Sequence, residues 1–392
     1  MSRSELQQPV SAGIIAMVVG YTSSFAVVLT GLAAVGADRR EAASGLLALC
    51  LTQAVGVIWL SRRHRMPIVL AWSTPGAALL AGMSVVDGGW PAAVGAFMLA
   101  GAAYVLTGFW PALGRLIARI PGPIAQAMLA GVVLELCLAP VDSLVDNPGA
   151  IVPIALVWLI GVRLAPRWAI PAAFVTAGVV IGIDMIRRGE GVASSTLIPE
   201  LALTWPALSW EAVVGIALPL YIVTMASQNV PGVAIMKSLG YDLPWRDSIV
   251  TAGVATIAGA AAGAHSTNLA AISAALAAGP DAGPDRSRRW IASQSAGVTY
   301  VVLAAASAAL AALVSVAPIG VIATVAGLAL VGTLADSLQG SMSQRKGREA
   351  AVVTFLVAAS GITAYGVGAA AWAIVAGLVV HAILEWSPRG RG

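Results

Sequence analysis

The chain has 392 residues, of which 59% are hydrophobic and 10% charged, with a net charge of +4. A soluble domain carries about 25% charged residues, so this composition excludes a globular protein that surrounds itself with water. Apolar runs of about 15–24 residues recur along the whole length and predict an all-α polytopic membrane protein. Its two cysteines, Cys50 and Cys137, both sit in apolar runs, which argues against a disulfide framework or a four-ligand metal site.

The N-terminal stretch MSRSELQQPVSAGIIAM leads into a full-length apolar run without a cleavage site, so no cleaved leader is expected. The first predicted span, residues 13–35, carries Tyr21, Thr22, Ser23, Ser24 and Phe25. Tyr21 and Phe25 are four apart and share a helix face; they either accept a planar ring or form an ordinary packing pair. The second span covers 42–60.

The third, 67–83, contains AWSTPGAALLAG (71–82). Pro67 and Pro75-Gly76 break it, and IVLAW ahead of the break is bulky and β-branched, suited to extended backbone. Ser73 and Thr74 are natural N-cap residues and Pro75 suits a first helical turn. A half-helix starting at mid-membrane is therefore expected, with Trp72 beside it.

Spans four to seven are 90–112, 122–139, 149–164 and 169–186. Glu135 falls in the fifth, toward its outer end. A carboxylate there is a functional candidate, unless it reaches the interface. The connection 187–210, with Trp205 and Trp210, reads as an interfacial segment. The eighth span, 211–231, places Ser227, Gln228 and Asn229 ahead of Pro231-Gly232. These amides either face a substrate or repair backbone bonds freed by the proline.

The ninth span is 248–263. The tenth, 265–279, reads HSTNLAAISAALAAG. Ser266 and Thr267 are expected to cap a second half-helix, with Asn268 in its first turn. His265 binds substrate, relays a proton or caps the span; the residues alone leave all three open. Spans eleven to fourteen are 290–313, 318–338, 349–366 and 368–386. Asp184, Asp336, His381 and Glu385 fall near span ends and read as interfacial.

Fourteen spans put both termini on one side. With that side cytoplasmic, every Lys and Arg except Arg39, Arg40, Arg187 and Arg188 is also cytoplasmic, out of 22, as topology requires. WSTPGAALLAG is matched 193 residues later by HSTNLAAISAALAAG, and PIAQAMLAGVVL (123–134) by PIGVIATVAGLAL (318–330). Both offsets are close to half the chain. Two halves of seven spans insert with opposite orientation, which is the inverted-repeat layout of secondary transporters. Two extended pieces would then pair at mid-depth, because extended backbone cannot face lipid. Two helix N-termini would converge on one anion site.

Three stretches, AWSTPGAALLAG, SQNVPGVAIMKSLGY (227–241) and GAHSTNLAAISAALAAG (263–279), carry a resemblance along the whole chain to the benzoate:proton symporter (BenE) family. The resemblance implies a carrier of the bacterial cytoplasmic (inner) membrane that imports benzoate or a similar aromatic carboxylate with protons by alternating access. Its wider relatives carry nucleobases and sulfate-type anions on seven plus seven inverted spans. It implies a core domain of residues 1–120 and 211–316 and a gate domain of residues 121–210 and 317–392. Substrate would meet Tyr21, Ser24 and Phe25 of the first span, Trp72, Ser73 and Thr74 of the third, Gln228 and Asn229 of the eighth, and His265, Ser266, Thr267 and Asn268 of the tenth. His265 and Glu135 are the candidates for proton coupling.

Nucleobase relatives hold glutamates where this chain has Gln228 or Asn229 and Asn268, a departure that favours an anion. The alternatives are a carrier of the same fold for a nucleobase or inorganic anion, and an anion channel. No catalytic constellation, cofactor, metal site or nucleic-acid partner is expected; the expected partners are the aromatic acid, protons, the bilayer and, as a homodimer, a second copy.

Overall fold

A computed structural model describes residues 3–117, 120–189, 191, 197–270, 272–365 and 367–385. The first half runs α1 (Arg3–Ala34), α2 (Arg39–His64), β1 (Leu70–Trp72), α3 (Thr74–Ala81), α4 (Gly89–Phe109), α5 (Pro111–Ile117), α6 (Gly122–Asp146), α7 (Pro148–Leu164) and α8 (Ala169–Arg188). The second runs α9 (Trp210–Ser238), α10 (Trp245–Ala260), β2 (Thr267–Leu269), α11 (Ile272–Ala278), α12 (Trp290–Ala304), α13 (Ser307–Val316), α14 (Val321–Met342), α15 (Arg348–Ala359), β3 (Thr363–Ala364), β4 (Val367–Gly368) and α16 (Ala369–Glu385).

Among the described residues, seven helices are long and apolar enough to cross a membrane, and the pair α12–α13, bent by 51°, makes an eighth. The chain is thus a multi-pass membrane protein. The other expected spans are shorter or broken: α7, α10, α15, α16 and the two half-helices α3 and α11. Trp205 and Trp210 of the 187–210 connection are both exposed.

Local chemistry explains the break after α2. Asp38 and Glu41 form a capping box at its start, each side chain accepting the other's backbone N–H at 2.8 Å, which satisfies two donors the helix leaves free. Arg62, Arg63 and His64 close its last turn, where cations complement the dipole. Arg65 then turns left-handed, Pro67 bars further helix, and the chain extends into β1.

β1 pairs antiparallel with β2, Leu70 opposite Leu269, Ala71 opposite Asn268 and Trp72 opposite Thr267. The ladder continues at both ends, with Ser73 N–H donating to the Ser266 carbonyl at 3.1 Å and Ala270 N–H to the Val69 carbonyl at 3.0 Å. Two extended pieces satisfy each other inside the bundle, as the hydrocarbon requires.

The halves are not symmetric here. In the first, Ser73 caps α3 directly after β1. In the second, Thr267 and Asn268 lie inside β2 and α11 begins at Ile272, so the expectation that Ser266 or Thr267 caps the helix and Asn268 sits in its first turn is corrected. Pro75 is the physical reason. It fixes a helical φ and has no N–H to give a ladder, whereas Leu269, two residues after Thr267, donates its N–H to Asn229.

α9 carries two π-helical stretches, Val213–Ala217 and Met225–Asn229. The second holds Ser227, Gln228 and Asn229, and π-turns of this kind often mark functional sites. α6 packs along α14 and α15, while α2 packs on α12 and α4 on α10. The α6–α14 contact is backbone-close. A Cβ on Gly327 would meet Leu136 O, with Pro140 ring carbons at 2.6 and 2.7 Å. Gly131 of α6 meets Ala358 and Phe355 of α15 in the same way.

Candidate functional site

A cavity of about 300 Å³ lies between the strand pair, the starts of both half-helices and α14. α1 contributes Gly20, Ser23 and Ser24, β1 contributes Ala71 and Trp72, and the first turn of α3 contributes Thr74 and Pro75. Ser227 and Gln228 of α9, Ser273 of α11 and Tyr300 of α12 line the same space. Gln126 of α6 with Thr333, Asp336 and Ser337 of α14 completes the wall.

The α3 end of the cavity is organised by Ser73. Its Oγ accepts the Gly76 N–H at 3.0 Å and the Thr224 hydroxyl at 2.7 Å, and its carbonyl accepts the Ala77 N–H at 2.8 Å. Pro75 has no N–H, so Thr74 holds the first-turn donor for which the helix offers no partner. Thr74 lines the cavity; Ser73 is fully buried behind it. An anion at Thr74 meets a free N–H and the positive end of a short dipole.

An aromatic wall faces this end. Trp72 Nε1 donates to Ser24 Oγ at 2.8 Å, and Ser24 Oγ donates to the Gly20 carbonyl at 2.9 Å. The Tyr300 ring lies 6.3 Å from that of Trp72, and its hydroxyl donates to the Leu70 carbonyl at 3.2 Å. The indole is held at its N–H and flanked by the Tyr21 and Tyr300 rings, which gives a planar ligand a fixed surface.

Several expected ligands lie elsewhere. Tyr21 and Phe25 stack on each other at 5.9 Å, Tyr21 meets the Trp72 ring edge at 5.4 Å and Phe25 meets Phe174 at 4.7 Å. Both are buried and neither lines the cavity; Tyr21 backs Trp72 and Phe25 packs on Phe174. Asn229 is fully buried, its Oδ1 accepting the Leu269 N–H at 2.9 Å and its Nδ2 reaching Met225 Sδ at 3.2 Å. It completes the β2 end of the ladder, whereas Gln228, its neighbour, faces the cavity.

His265, Ser266, Thr267 and Asn268 are all fully buried and absent from the lining. His265 Nε2 donates to the Ser73 carbonyl at 3.1 Å and its ring stands edge-on to Phe97. Ser266 Oγ bonds the Tyr104 hydroxyl at 2.9 Å. The Thr267 N–H donates to Thr256 Oγ1 at 2.9 Å, and Asn268 Nδ2 to the Leu269 carbonyl at 2.8 Å. This tetrad builds the strand pair from behind. Glu135 is exposed and lines a separate crevice with Gly82 and Met83, beyond the C-terminal end of α3.

Asp336 is exposed, as an interfacial residue would be, yet it lines the cavity. Thr333, Asp336 and Ser337 follow a spacing of three and four that puts them on one helix face, a signal the sequence carried. Ser23, Ser273, Gln126 and Tyr300 had no comparable mark.

Replacing Asn229 by Ala should leave the Leu269 N–H unpaired in the interior, a cost of about 1–3 kcal/mol. The expected result is a clear drop in thermal unfolding temperature of the purified protein, read by intrinsic fluorescence, with Asn229→Asp retaining more of the wild-type value than Asn229→Ala.

No group of three or more His, Cys, Asp or Glu side chains among the described residues is arranged to hold a metal. Residues 5–383 match the family described as benzoate membrane transport protein, BenE. The chain is 36% identical over 380 residues to the inner membrane protein YdcO of Escherichia coli K12, covering 95% of both. It is 30% identical over 377 residues to the benzoate membrane transport protein of Acinetobacter baylyi, covering 95% of this chain and 94% of that protein.

Among solved structures, the transmembrane domain of the cyanobacterial bicarbonate transporter BicA superposes with a TM-score of 0.62 at 15% identity, covering 96% of this chain and 98% of that one. Inward-facing murine Slc26a9, an anion transporter, superposes with a TM-score of 0.62 at 15% identity, covering 98% and 69%. At that identity the likeness establishes the fold.

Proposed function

The chain belongs to the BenE family of benzoate membrane transport proteins, and from that premise we propose that it imports benzoate or a similar aromatic carboxylate together with protons by alternating access. Residues 1–120 and 211–316 act as the core that carries the substrate, and residues 121–210 and 317–392 as the gate. The protein sits in the bacterial cytoplasmic membrane with both termini inside.

The observation that carries this reading is the pairing, in one cavity, of the Trp72 indole with the start of α3 at Thr74 and the Gln228 amide. A benzoate fits this arrangement in one sense only. Its ring lies against the indole, and its carboxylate takes the Thr74 N–H and the Gln228 amide. The cavity reaches Gln126 near the start of α6 and Asp336 near the end of α14. With the Lys- and Arg-rich side taken as cytoplasmic, that end opens inward, and we read the conformation as inward-facing.

The deciding experiment is uptake of radiolabelled benzoate into proteoliposomes under an imposed pH gradient, acid outside the compartment that fills. Accumulation that a protonophore collapses is expected. No protein-dependent accumulation of benzoate, with uptake of labelled uracil or bicarbonate in its place, would assign the site to another substrate. Gln228→Ala removes a hydrogen bond to a charged partner, worth about 1.5–3 kcal/mol, or roughly ten- to a hundred-fold in benzoate affinity. Unchanged affinity in the folded variant would return Gln228 to a purely structural place in α9.

A further inference from the structure

We infer that Asp336, on the gate helix α14, is the residue that takes up the co-transported proton, so that its carboxylate is neutral when the anion is bound. The inference rests on the carrier reading above and names the proton site that reading leaves open.

Three observations carry it. First, among the described residues Asp336 and Tyr300 are the only titratable side chains lining the cavity, and the Tyr300 hydroxyl is committed as a donor to Leu70. Second, the group beside Asp336 is unsatisfied: Ser337 is 1% exposed, lines the cavity, and its Oγ has no hydrogen-bond partner. A hydroxyl so placed is free to donate to an ionised carboxylate or to accept from a protonated one. Third, Asp336 belongs to the helix that faces the substrate cavity from the gate side, opposite Gln228 and Thr74. Proton and anion therefore bind on the two halves of the structure that move relative to one another.

The charged groups on elements packed against α14 do not reach this wall. α6 brings Glu135, Asp142 and Asp146, α7 brings Arg163, and α1 brings Tyr21. α8 brings Asp184, Arg187 and Arg188, and α15 brings Arg348 and Glu349, while Arg345 and Lys346 lie in the turn between α14 and α15. None of these lines the cavity. Nor do the earlier candidates: His265 is sealed behind β1, and Glu135 opens on another crevice.

The chemistry is a single protonation. One side-chain oxygen of Asp336 gains a proton from water on the side of higher proton concentration and loses it to water on the other side. While ionised, Asp336 repels an incoming carboxylate. While protonated it does not, so substrate and proton favour each other's binding by the same factor. Affinity should therefore be high at low pH and fall as pH rises.

The test is benzoate binding to the purified protein from about pH 6 to pH 8, where the ligand itself stays ionised because carboxylic acids titrate near pH 4. Wild type should bind more weakly as pH rises and should take up protons when benzoate binds in weakly buffered solution. Asp336→Asn imitates the protonated state. It should bind with no pH slope, take up no proton, and exceed wild type about tenfold in affinity near pH 8. Asp336→Glu should keep both the slope and the proton uptake.

An Asp336→Asn variant that retains the wild-type slope, or that is folded and binds nothing, overturns the inference, as does an Asp336→Glu variant without a slope. Failure of the wild type to bind benzoate at all would instead overturn the substrate assignment.

Discussion

Thr74→Asp is expected to abolish benzoate binding at neutral pH while leaving the protein folded. Thr74 is the first residue of α3 and lines the cavity. A carboxylate at a helix N-terminus is favourable to the helix, so thermal stability should hold or rise slightly. The ligand loses on two counts: the positive end of α3 is already neutralised, and a fixed negative charge stands where its own carboxylate should rest. Two like charges about 5 Å apart at an effective dielectric near 20 repel by roughly 3 kcal/mol, more than a hundred-fold in affinity.

Binding should return in part as pH falls, because a like-charge neighbour encourages protonation. Thr74→Val removes the hydroxyl and adds no charge; its loss should stay below about tenfold, the ordinary worth of one neutral hydrogen bond. Isothermal titration of both variants checks this. Equal affinity of Thr74→Asp and wild type near pH 8 would mean that the anion does not sit at the start of α3.

The second large effect concerns how the two long helices α6 and α14 meet. Gly327→Val should prevent α14 from seating on α6. The added Cβ would run into the Leu136 carbonyl and the Pro140 ring, and neither can swing aside as a side-chain tip would. Overpacking costs about 1–3 kcal/mol where neighbours can adjust. Against backbone and a proline ring the upper end of that range is expected, enough to deplete the folded fraction of a marginally stable protein.

Gly332 lies on the same helix with nothing near its Cβ direction, so Gly332→Ala should be neutral or mildly stabilising. Size-exclusion profiles and thermal unfolding of the two variants provide the comparison. A Gly327→Val protein as stable as Gly332→Ala would show that α6 and α14 do not pack this closely.

Much of the site's framework was readable from the residues. Pro67 and Pro75-Gly76 announced a broken third span, and the recurrence of Ser-Thr near the half-length offset announced its partner; β1 and β2 do pair. What the letters concealed was that equal dipeptides need not do equal work. Ser73 caps a helix because Pro75 follows it. Ser266-Thr267 enters a strand because Asn229, from a different helix, accepts the Leu269 N–H. That donor lies 40 residues away in sequence, and no local pattern reveals it.

Tyr21 and Phe25 share a face as their spacing demands, yet a shared face says nothing of what covers it, and here it is Trp72 and Phe174. Gln228 and Asn229 are adjacent and so point in different directions; the one toward the cavity follows from the π-turn that holds them. Asp336 was read only as lying near a span end. Its second property, lining the cavity, depends on where the cavity opens, which is set by how α14 leans on the rest of the bundle.

The antiparallel ladder has a consequence for how the protein is made. Leu70 and Leu269 pair directly although nearly two hundred residues separate them. At ribosomal speeds of about 5–20 residues per second, β1 exists for about 10–40 s before β2 has been synthesised. Throughout that time three residues of extended chain have no ladder partner, in a setting where unpaired backbone is costly. The early helices α1 and α2 can insert as they emerge, but the third segment cannot settle until the tenth arrives. Nascent chains should therefore pass through a long-lived stage in which Leu70–Trp72 stays at the translocon or at the wet interface. Assembly of the site is then the last event of biogenesis, and chains truncated before residue 267 never reach it.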